Sequence, residues 1–278
     1  MPRIAIAFLA SAIALQPLPP SLRQTTRRTA VTSEDAIGIT VVDVEAMREA
    51  STFPIAPDDL IRRCQEVLVA GVGTEDPSML APSMEFAGPV VGPISRDQYL
   101  KTVEPAVKSI NEAFPDLQPQ YYDFRVDPFE PNRVWYTSRS VGRMTGDLNL
   151  AGTLRANNKE MLQPPQTASI MFDEQGRVLE VTAGYVMDRR QGNTGGLGAV
   201  YAVLTHCGLA LPFPEGQPWS PSPPFKLFLE ATQFVDNISG GILGKPPPPE
   251  NAYWRRPTSE INSKARNPYL VLPRYKDL

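Results

Sequence analysis

Apolar side chains recur at helical spacing in two segments of the first half of the chain. The segment "PDDLIRRCQEVLVAG" (57–71) predicts an amphipathic helix with two aspartates in its first turn, where the helix dipole favours acids. One face of this helix is predicted to carry Leu60, Cys64, Val67, Leu68 and Gly71. A second helix is expected over "ISRDQYLKTVEPAVKSINEAF" (94–114), with Ser95 as its N-cap, and Pro105 is expected to kink or divide it.

After Pro115 the apolar spacing changes to a period of two. Four segments rich in β-branched and aromatic residues predict strands: "YYDFRV" (121–126), "RVWYTSRSV" (133–141), "TASIMFDE" (167–174) and "RVLEVTAGYVMD" (177–188). The turn "DEQG" predicts that the last two form a hairpin. A short helix is expected over "GAVYAVLTHCG" (198–208), and the order of helices before antiparallel strands indicates an α+β fold, with a curved sheet wrapped over helices.

The two ends of the chain differ from this middle. Residues 1–33 contain an apolar run too short to span a bilayer, then a Ser/Thr/Arg-rich stretch without acids, which is typical of a signal followed by a transit peptide. Residues 217–278 hold 11 prolines, including "KPPPP", and predict a proline-rich arm that contains the helix-like piece "FKLFLEATQFVDNI". The expected organisation is therefore a targeting segment, a lead-in over 34–57, a domain over 58–216 and this arm.

Charge and composition exclude several classes of function. Without residues 1–33, which carry four arginines and no acid, the chain has 23 basic and 30 acidic residues, a net charge of −7. A protein with this negative net charge is poorly suited to bind nucleic acid. Two cysteines 143 residues apart and a single histidine indicate neither a disulfide framework nor a histidine-based metal site, and the sequence predicts no metal, no cofactor and no transmembrane helix in the mature chain.

Four glycines follow the last predicted strand in "GNTGGLG" (192–198). The loop lies between a strand and a helix, as phosphate-binding loops do, but it matches neither of their glycine spacings and lacks the following lysine. We therefore expect these glycines to allow sharp turns and close packing.

Three segments together resemble the SnoaL-like polyketide cyclase family, which belongs to the NTF2-like superfamily. They are "AFPDL" (113–117), "RVWYTSRSVGRMTGDL" (133–148) and "FDEQGRVLEVTAGYVMD" (172–188). The resemblance covers roughly residues 58–213 and implies a cone of helices and bent antiparallel sheet around one apolar pocket. Met144 stands where this family often has a histidine.

The resemblance also implies a site residue. Some members of the family use the acid that ends the last strand as a general base, and Asp188 is the matching residue here. At the edge of an apolar cavity its pKa would be raised. The alternative is that Asp188 forms a salt bridge with Arg189 or Arg190, or caps the turn.

Strand alternation complicates the role of Asp188. The more apolar face of the last strand should point inward, so that Asp188 points outward unless a β-bulge near Gly184 resets the alternation. That inward face is Leu179, Val181, Ala183, Tyr185 and Met187. The candidate ligand-binding residues are the aromatic and basic side chains of the predicted strands: Tyr122, Trp135, Tyr136, Arg139 and Tyr185.

Two functions fit these observations. The first is a cofactor-free isomerase, cyclase or hydrolase that acts on a small hydrophobic compound with Asp188 as the base. The second is a non-catalytic protein that binds a small hydrophobic ligand or a protein complex through the arm. The presequence indicates a plastid location, with secretion as the alternative, and a homodimer is left open.

Overall fold

A computed structural model describes residues 32–34, 40–89, 91–150, 152–209, 211–228 and 230–231. The helices are α1 Val44–Glu49, α2 Pro57–Val69, α3 Arg96–Ala113 and α4 Ala199–His206, with short 3-10 turns at Gly71–Gly73, Pro77–Met79 and Pro214–Gly216. The strands are β1 Thr32–Glu34, β2 Thr40–Val42, β3 Leu80–Ala87, β4 Ile94–Ser95, β5 Tyr122–Val126, β6 Arg133–Ser138, β7 Val141–Arg143, β8 Leu148–Asn149, β9 Thr153–Leu154, β10 Glu160–Leu162, β11 Gln166–Phe172 and β12 Val178–Val186. The predicted targeting segment lies outside the described residues, apart from Thr32 and Ser33 in β1.

Six of these strands form one sheet in the order β4-β3-β12-β11-β6-β5. Every pair is antiparallel except β3 and β12, which run parallel. Register shifts in three of the pairings are the kind of irregularity that bends a sheet. The expected α+β architecture, with helices packed in a curved and mainly antiparallel sheet, is confirmed.

The core lies between α2, α3 and one face of this sheet, which we call the inner face. Its largest fully buried side chains on the sheet include Phe172, Ile170 and Met84. Helix α2 contributes four of the five residues predicted on its apolar face, all of them buried, whereas Gly71 lies in the 3-10 turn that follows the helix. Burying an aliphatic or aromatic side chain of this size stabilises a fold by about 1.5–3 kcal/mol, so this layer is the main source of stability.

The ends of both long helices follow from local sequence. Pro57 occupies the first turn of α2, where its missing N–H costs nothing. Ser95 begins α3 with a capping box, in which its hydroxyl and the side chain of Gln98 satisfy each other's backbone N–H. Pro105 lies inside α3 without dividing it. Because this part of the helix is exposed, the carbonyl that loses its donor can be hydrated.

The predicted hairpin joins β11 and β12. Asp173 Oδ1 accepts the backbone N–H groups of Gln175 and Arg177, and Gly176 takes a positive φ of 73° that suits glycine. Both the hairpin and its turn are confirmed.

A β-bulge interrupts this hairpin near Gly184. Thr167 pairs with Tyr185 and Ser169 with Thr182, so β12 has one residue more than β11 over this stretch, and Gly184 has a φ of 89°. The bulge transfers Tyr185 to the outer face of the sheet, beside Thr167.

The bulge corrects the predicted inward face of β12. Val181 and Ala183 do contact the core, as does Val178. Tyr185 and Met187 are 40% and 61% exposed, because the extra residue reverses the alternation beyond Ala183, and Leu179 is half-buried outside the core cluster.

A second apolar cluster lies beyond the end of α3. Phe114 packs there with Met144 and Met161 from the segment between β6 and β11, and with Val203 and Leu204 from α4. This cluster fixes α4, and therefore the glycine loop in front of it, against the end of the sheet.

The chain returns across the glycine loop after α4. The backbone N–H of Trp219 donates to the carbonyl of Gly195 at 2.8 Å, and the Arg189 guanidinium lies 5.2 Å from the centre of the Trp219 ring. Residues 223–228 and 230–231 are helical, as predicted, and Phe228 is 60% exposed. The rest of the predicted helix and the "KPPPP" segment lie outside the described residues.

Candidate functional site

The most distinctive polar group inside the fold is the hydroxyl of Tyr136 on β6. The residue is 4% exposed and lies on the inner face of the sheet. Its ring stacks on Phe124 at a centroid distance of 5.7 Å and meets Tyr121 edge-on at 5.6 Å. The Tyr136 hydroxyl makes no hydrogen bond to the part of the chain that the structure describes.

Three further polar residues lie near Tyr136, and together they form what we call the tyrosine cluster: Tyr99, Tyr121, Tyr136 and Cys64. Burial raises the pKa of Tyr136 well above its usual value, and the proximity of Tyr121, Cys64 and Tyr99 raises it further. The Tyr99 hydroxyl donates to the carbonyl of Val72 at 3.2 Å. Tyr121, 39% exposed, forms the outward edge of the cluster.

All four members of the cluster keep their protons at neutral pH. Burial raises the pKa of Cys64 to about 12, and it is also the main cause of the raised pKa of Tyr99 and of Tyr121. Besides burial, only other members of the cluster raise these pKa values, and no carboxylate or imidazole contributes. The cluster can therefore donate hydrogen bonds, but it is poorly suited to abstract protons or to act as a nucleophile.

Asp188, the predicted base, lies just past the end of β12 in a salt bridge with Arg190. Its two carboxylate oxygens accept Nε and Nη2 of Arg190 at 2.9 and 3.0 Å. The backbone N–H of Arg190 and the side chain of Gln191 donate to the same carboxylate at 3.0 and 3.1 Å. These bonds, above all the Arg190 side chain, hold the pKa of Asp188 well below its usual range.

The expected rise in the pKa of Asp188 is therefore wrong for this conformation. The alternative inferred from the sequence, a salt bridge with the neighbouring arginine, is what the structure contains. A carboxylate held in this way binds protons weakly, so acting as a base would require Arg190 to move away.

Gln191 connects Asp188 to a second predicted site residue. Its amide nitrogen donates to Asp188, while its amide oxygen accepts Nη2 of Arg139. Arg139 and Asp188 thus belong to one hydrogen-bonded network at the end of the sheet.

The other predicted ligand-binding residues lie on the outer face. Tyr122 and Tyr185 stand at the two ends of one row across four strands, with Thr137 and Thr167 between them. Trp135 occupies the same face, where its Nε1 donates to Asp127 at 2.7 Å and Arg133 lies over its ring. The structure therefore separates Tyr136 from the remaining aromatic candidates.

The glycine loop is shaped by close packing, as its sequence predicts. A Cβ on Gly192 would lie 2.3 Å from the Leu162 carbonyl oxygen. The helix that follows is already capped, because Gln166 Oε1 accepts the N–H of Ala199 at 2.8 Å, and Gln166 in turn donates to Gln163 at 2.6 Å. The first backbone N–H of this helix is therefore not free to bind a phosphate.

The described residues contain no group of three or more His, Cys, Asp or Glu side chains arranged to hold a metal ion. Among these residues, no helix combines the length and the apolar character needed to cross a membrane.

No protein-family model and no curated protein matches this chain. Solved structures do resemble it. The proposed hydroxylase AclR from Streptomyces galilaeus is 16% identical, with 66% of this chain and 95% of that chain covered and a TM-score of 0.39. A proposed SnoaL-like polyketide cyclase from Jannaschia sp. CCS1 is 14% identical, with 48% and 87% covered and a TM-score of 0.37.

An NTF2-like protein of unknown function from Burkholderia pseudomallei K96243 is 11% identical, with 45% of this chain and 89% of that chain covered and a TM-score of 0.33. The neighbours thus include SnoaL-like and NTF2-like proteins, the group that the sequence motifs resemble. At such low identities the likeness concerns the fold and not the chemistry.

Proposed function

We propose that the protein binds a small, mostly apolar molecule at the tyrosine cluster and does not transform it. The observation that carries this proposal is the Tyr136 hydroxyl, a donor inside an aromatic core that is left without a partner in the described residues. An oxygen atom on a ligand could accept a hydrogen bond from this hydroxyl. Each such neutral hydrogen bond contributes about 0.5–1.5 kcal/mol.

The surroundings of the cluster define the rest of the ligand. Phe86 packs against Tyr99 at a centroid distance of 5.5 Å, and Phe124 stacks on Tyr136. These walls favour an apolar body, while the protonated phenols favour a neutral acceptor such as a carbonyl. Tyr121, the exposed edge of the cluster, is the expected point of entry.

The proposal predicts that Tyr136→Phe weakens binding of an aromatic ketone, 2-acetylnaphthalene, by about 5-fold, because one neutral hydrogen bond is lost. The free energy of unfolding should change by less than about 0.5 kcal/mol, since the hydroxyl has no protein partner to lose. Isothermal titration calorimetry measures the first quantity and chemical denaturation the second.

Tyr122→Phe is the matched control, because it removes the same hydroxyl from the outer face, where the residue is 45% exposed. It should bind the ketone like the wild type. Equal affinities for all three proteins, or no binding to the wild type, would refute the proposed site.

A second candidate function is the cofactor-free reaction with Asp188 as general base. The observation that favours it is the β-bulge at Gly184, without which strand alternation would point Asp188 outward. Hydrogen bonds also link Asp188 through Gln191 to Arg139. Its chemistry would begin when Arg190 releases the carboxylate.

Asp188→Asn distinguishes the two candidates. Our proposal expects unchanged affinity for the ketone, because Asp188 is not part of the cluster. The catalytic candidate expects unchanged affinity but a fall in turnover of about 10²–10⁴-fold. The measurement is mass spectrometry of candidate polyketide and steroid ketones incubated with each protein. Product formation that disappears in the variant would overturn the non-catalytic proposal.

A plastid location and a protein partner for residues 217–278 are also proposals. They are supported by the composition of residues 1–33 and of the arm.

A further inference from the structure

A surface cavity of about 260 Å³ lies outside the core, where the lead-in to α2 meets the turn between β5 and β6. It is lined by residues from two segments of the chain: Met47, Arg48, Ser51, Phe53, Pro54, Ile55, Ala56, Pro57, Val126, Asp127, Pro128 and Pro131. Nine of these twelve residues are apolar, and polar atoms supply close to half of the surface of the wall. Phe53 and Ile55 also pack against the core, which holds this side of the cavity in place.

The acceptors in the wall are already used. Asp127 Oδ1 accepts the backbone N–H groups of Phe129 and Glu130 at 2.8 and 3.0 Å, and its Oδ2 accepts Trp135 Nε1 at 2.7 Å. Ser51 Oγ accepts the N–H of Phe53 at 3.2 Å. A ligand that needed acceptors would find few here.

The donors in the wall are not used up. Arg48 Nη1 donates to Glu45 at 3.0 Å, but Nε of Arg48 is buried and has no hydrogen-bond partner among the described residues. Glu45 is 78% exposed, so this ion pair is solvated and holds the guanidinium weakly. The wall therefore combines apolar side chains with a guanidinium whose only acceptor in the described part of the chain is an exposed carboxylate and whose Nε has none.

We propose that this cavity binds a small carboxylic acid with an apolar body. The carboxylate would pair with the Arg48 guanidinium in place of the exposed Glu45 carboxylate, and the body would lie against the prolines, Phe53 and Val126. The volume is just below the range of about 300–1,000 Å³ typical of sites for drug-sized ligands, so the ligand is small, of the size of phenylacetate. This site is independent of the tyrosine cluster.

The test is a titration of the full chain with phenylacetate, followed by ligand-observed NMR. The wild type should bind with a dissociation constant in the millimolar range or below. Arg48→Gln should weaken binding about 10-fold or more, because it removes a charge-assisted pair. Arg48→Lys keeps the charge without the planar fork and should fall between the two. The amide analogue phenylacetamide should bind the wild type more weakly than the acid.

Arg62→Gln is the matched control. Arg62 forms the same kind of exposed pair with an acid three residues earlier on a helix, at 2.9 Å from Asp59, but it does not line the cavity. It should leave phenylacetate binding unchanged. The proposal is overturned if the wild type and Arg48→Gln bind phenylacetate equally, or if Arg62→Gln loses as much affinity as Arg48→Gln. It is also overturned if the wild type shows no binding at about 10 mM phenylacetate, since a millimolar dissociation constant is the weakest one expected.

Discussion

Replacing Gly192 by alanine is expected to lower the free energy of unfolding by about 3 kcal/mol or more. Gly192 has a φ of 75°, in the left-handed region that side chains disfavour. An added Cβ would also lie 2.3 Å from the Leu162 carbonyl oxygen and 2.7 Å from the Pro164 nitrogen. Both contacts are with backbone, so relief requires the loop to move away from β10. Urea denaturation of the two proteins measures the difference.

Gly208→Ala separates the two causes. Gly208 has a φ of 89°, but an added Cβ would meet nothing within 4 Å. It should therefore show only the conformational cost, about 1–2 kcal/mol. If Gly192→Ala costs no more than Gly208→Ala, the loop is not held against β10 as the structure describes.

The second large effect is expected at Arg133, whose replacement by alanine should cost about 3–5 kcal/mol. The side chain is 6% exposed, and its Nε and Nη2 lie 2.6 and 2.9 Å from Glu130 and Glu180. Its Nη1 also donates to Ser169 at 2.8 Å. Without the guanidinium, Glu180 loses its ion pair and Ser169 loses a hydrogen-bond donor, both on a largely buried face. The replacement also removes the packing of Arg133 against the Trp135 ring.

Arg125→Ala is the control for this prediction. Arg125 pairs with Asp123 at 3.0 Å, but both side chains are at least half exposed. Exposed pairs of this kind contribute about 0–1 kcal/mol. Thermal or urea unfolding that ranks Arg125→Ala at or above Arg133→Ala would contradict the buried network on the outer face.

The parts of the fold predicted from sequence are those whose signals are local. The apolar spacing of α2, the Ser95 cap of α3 and the Asp173–Gly176 turn each lie within one short segment, and each has the predicted structure. Strand β3 was not predicted, because Pro82 and Ser83 interrupt its pattern. It is held in place by parallel pairing with β12, almost 100 residues later.

The candidate site shows the same division. Tyr136 was predicted because it lies on a clear strand, whereas Cys64, Tyr99 and Tyr121 come from other elements and meet only in the folded chain. For Asp188 the sequence indicated both a base and a partner for Arg190. The choice depends on side-chain conformation, which residue spacing alone does not determine.

The return of the chain across the glycine loop bears on how this protein should be divided for experiments. A cut after residue 216, where the arm was predicted to begin, would remove the Trp219 ring from Arg189 and leave the Gly195 carbonyl without its donor. Pro218 also fills the space directly above Gly195. A shortened protein meant to retain the loop intact should therefore end at or beyond residue 222. Any loss of function can then be assigned to the missing arm and not to a disrupted glycine loop.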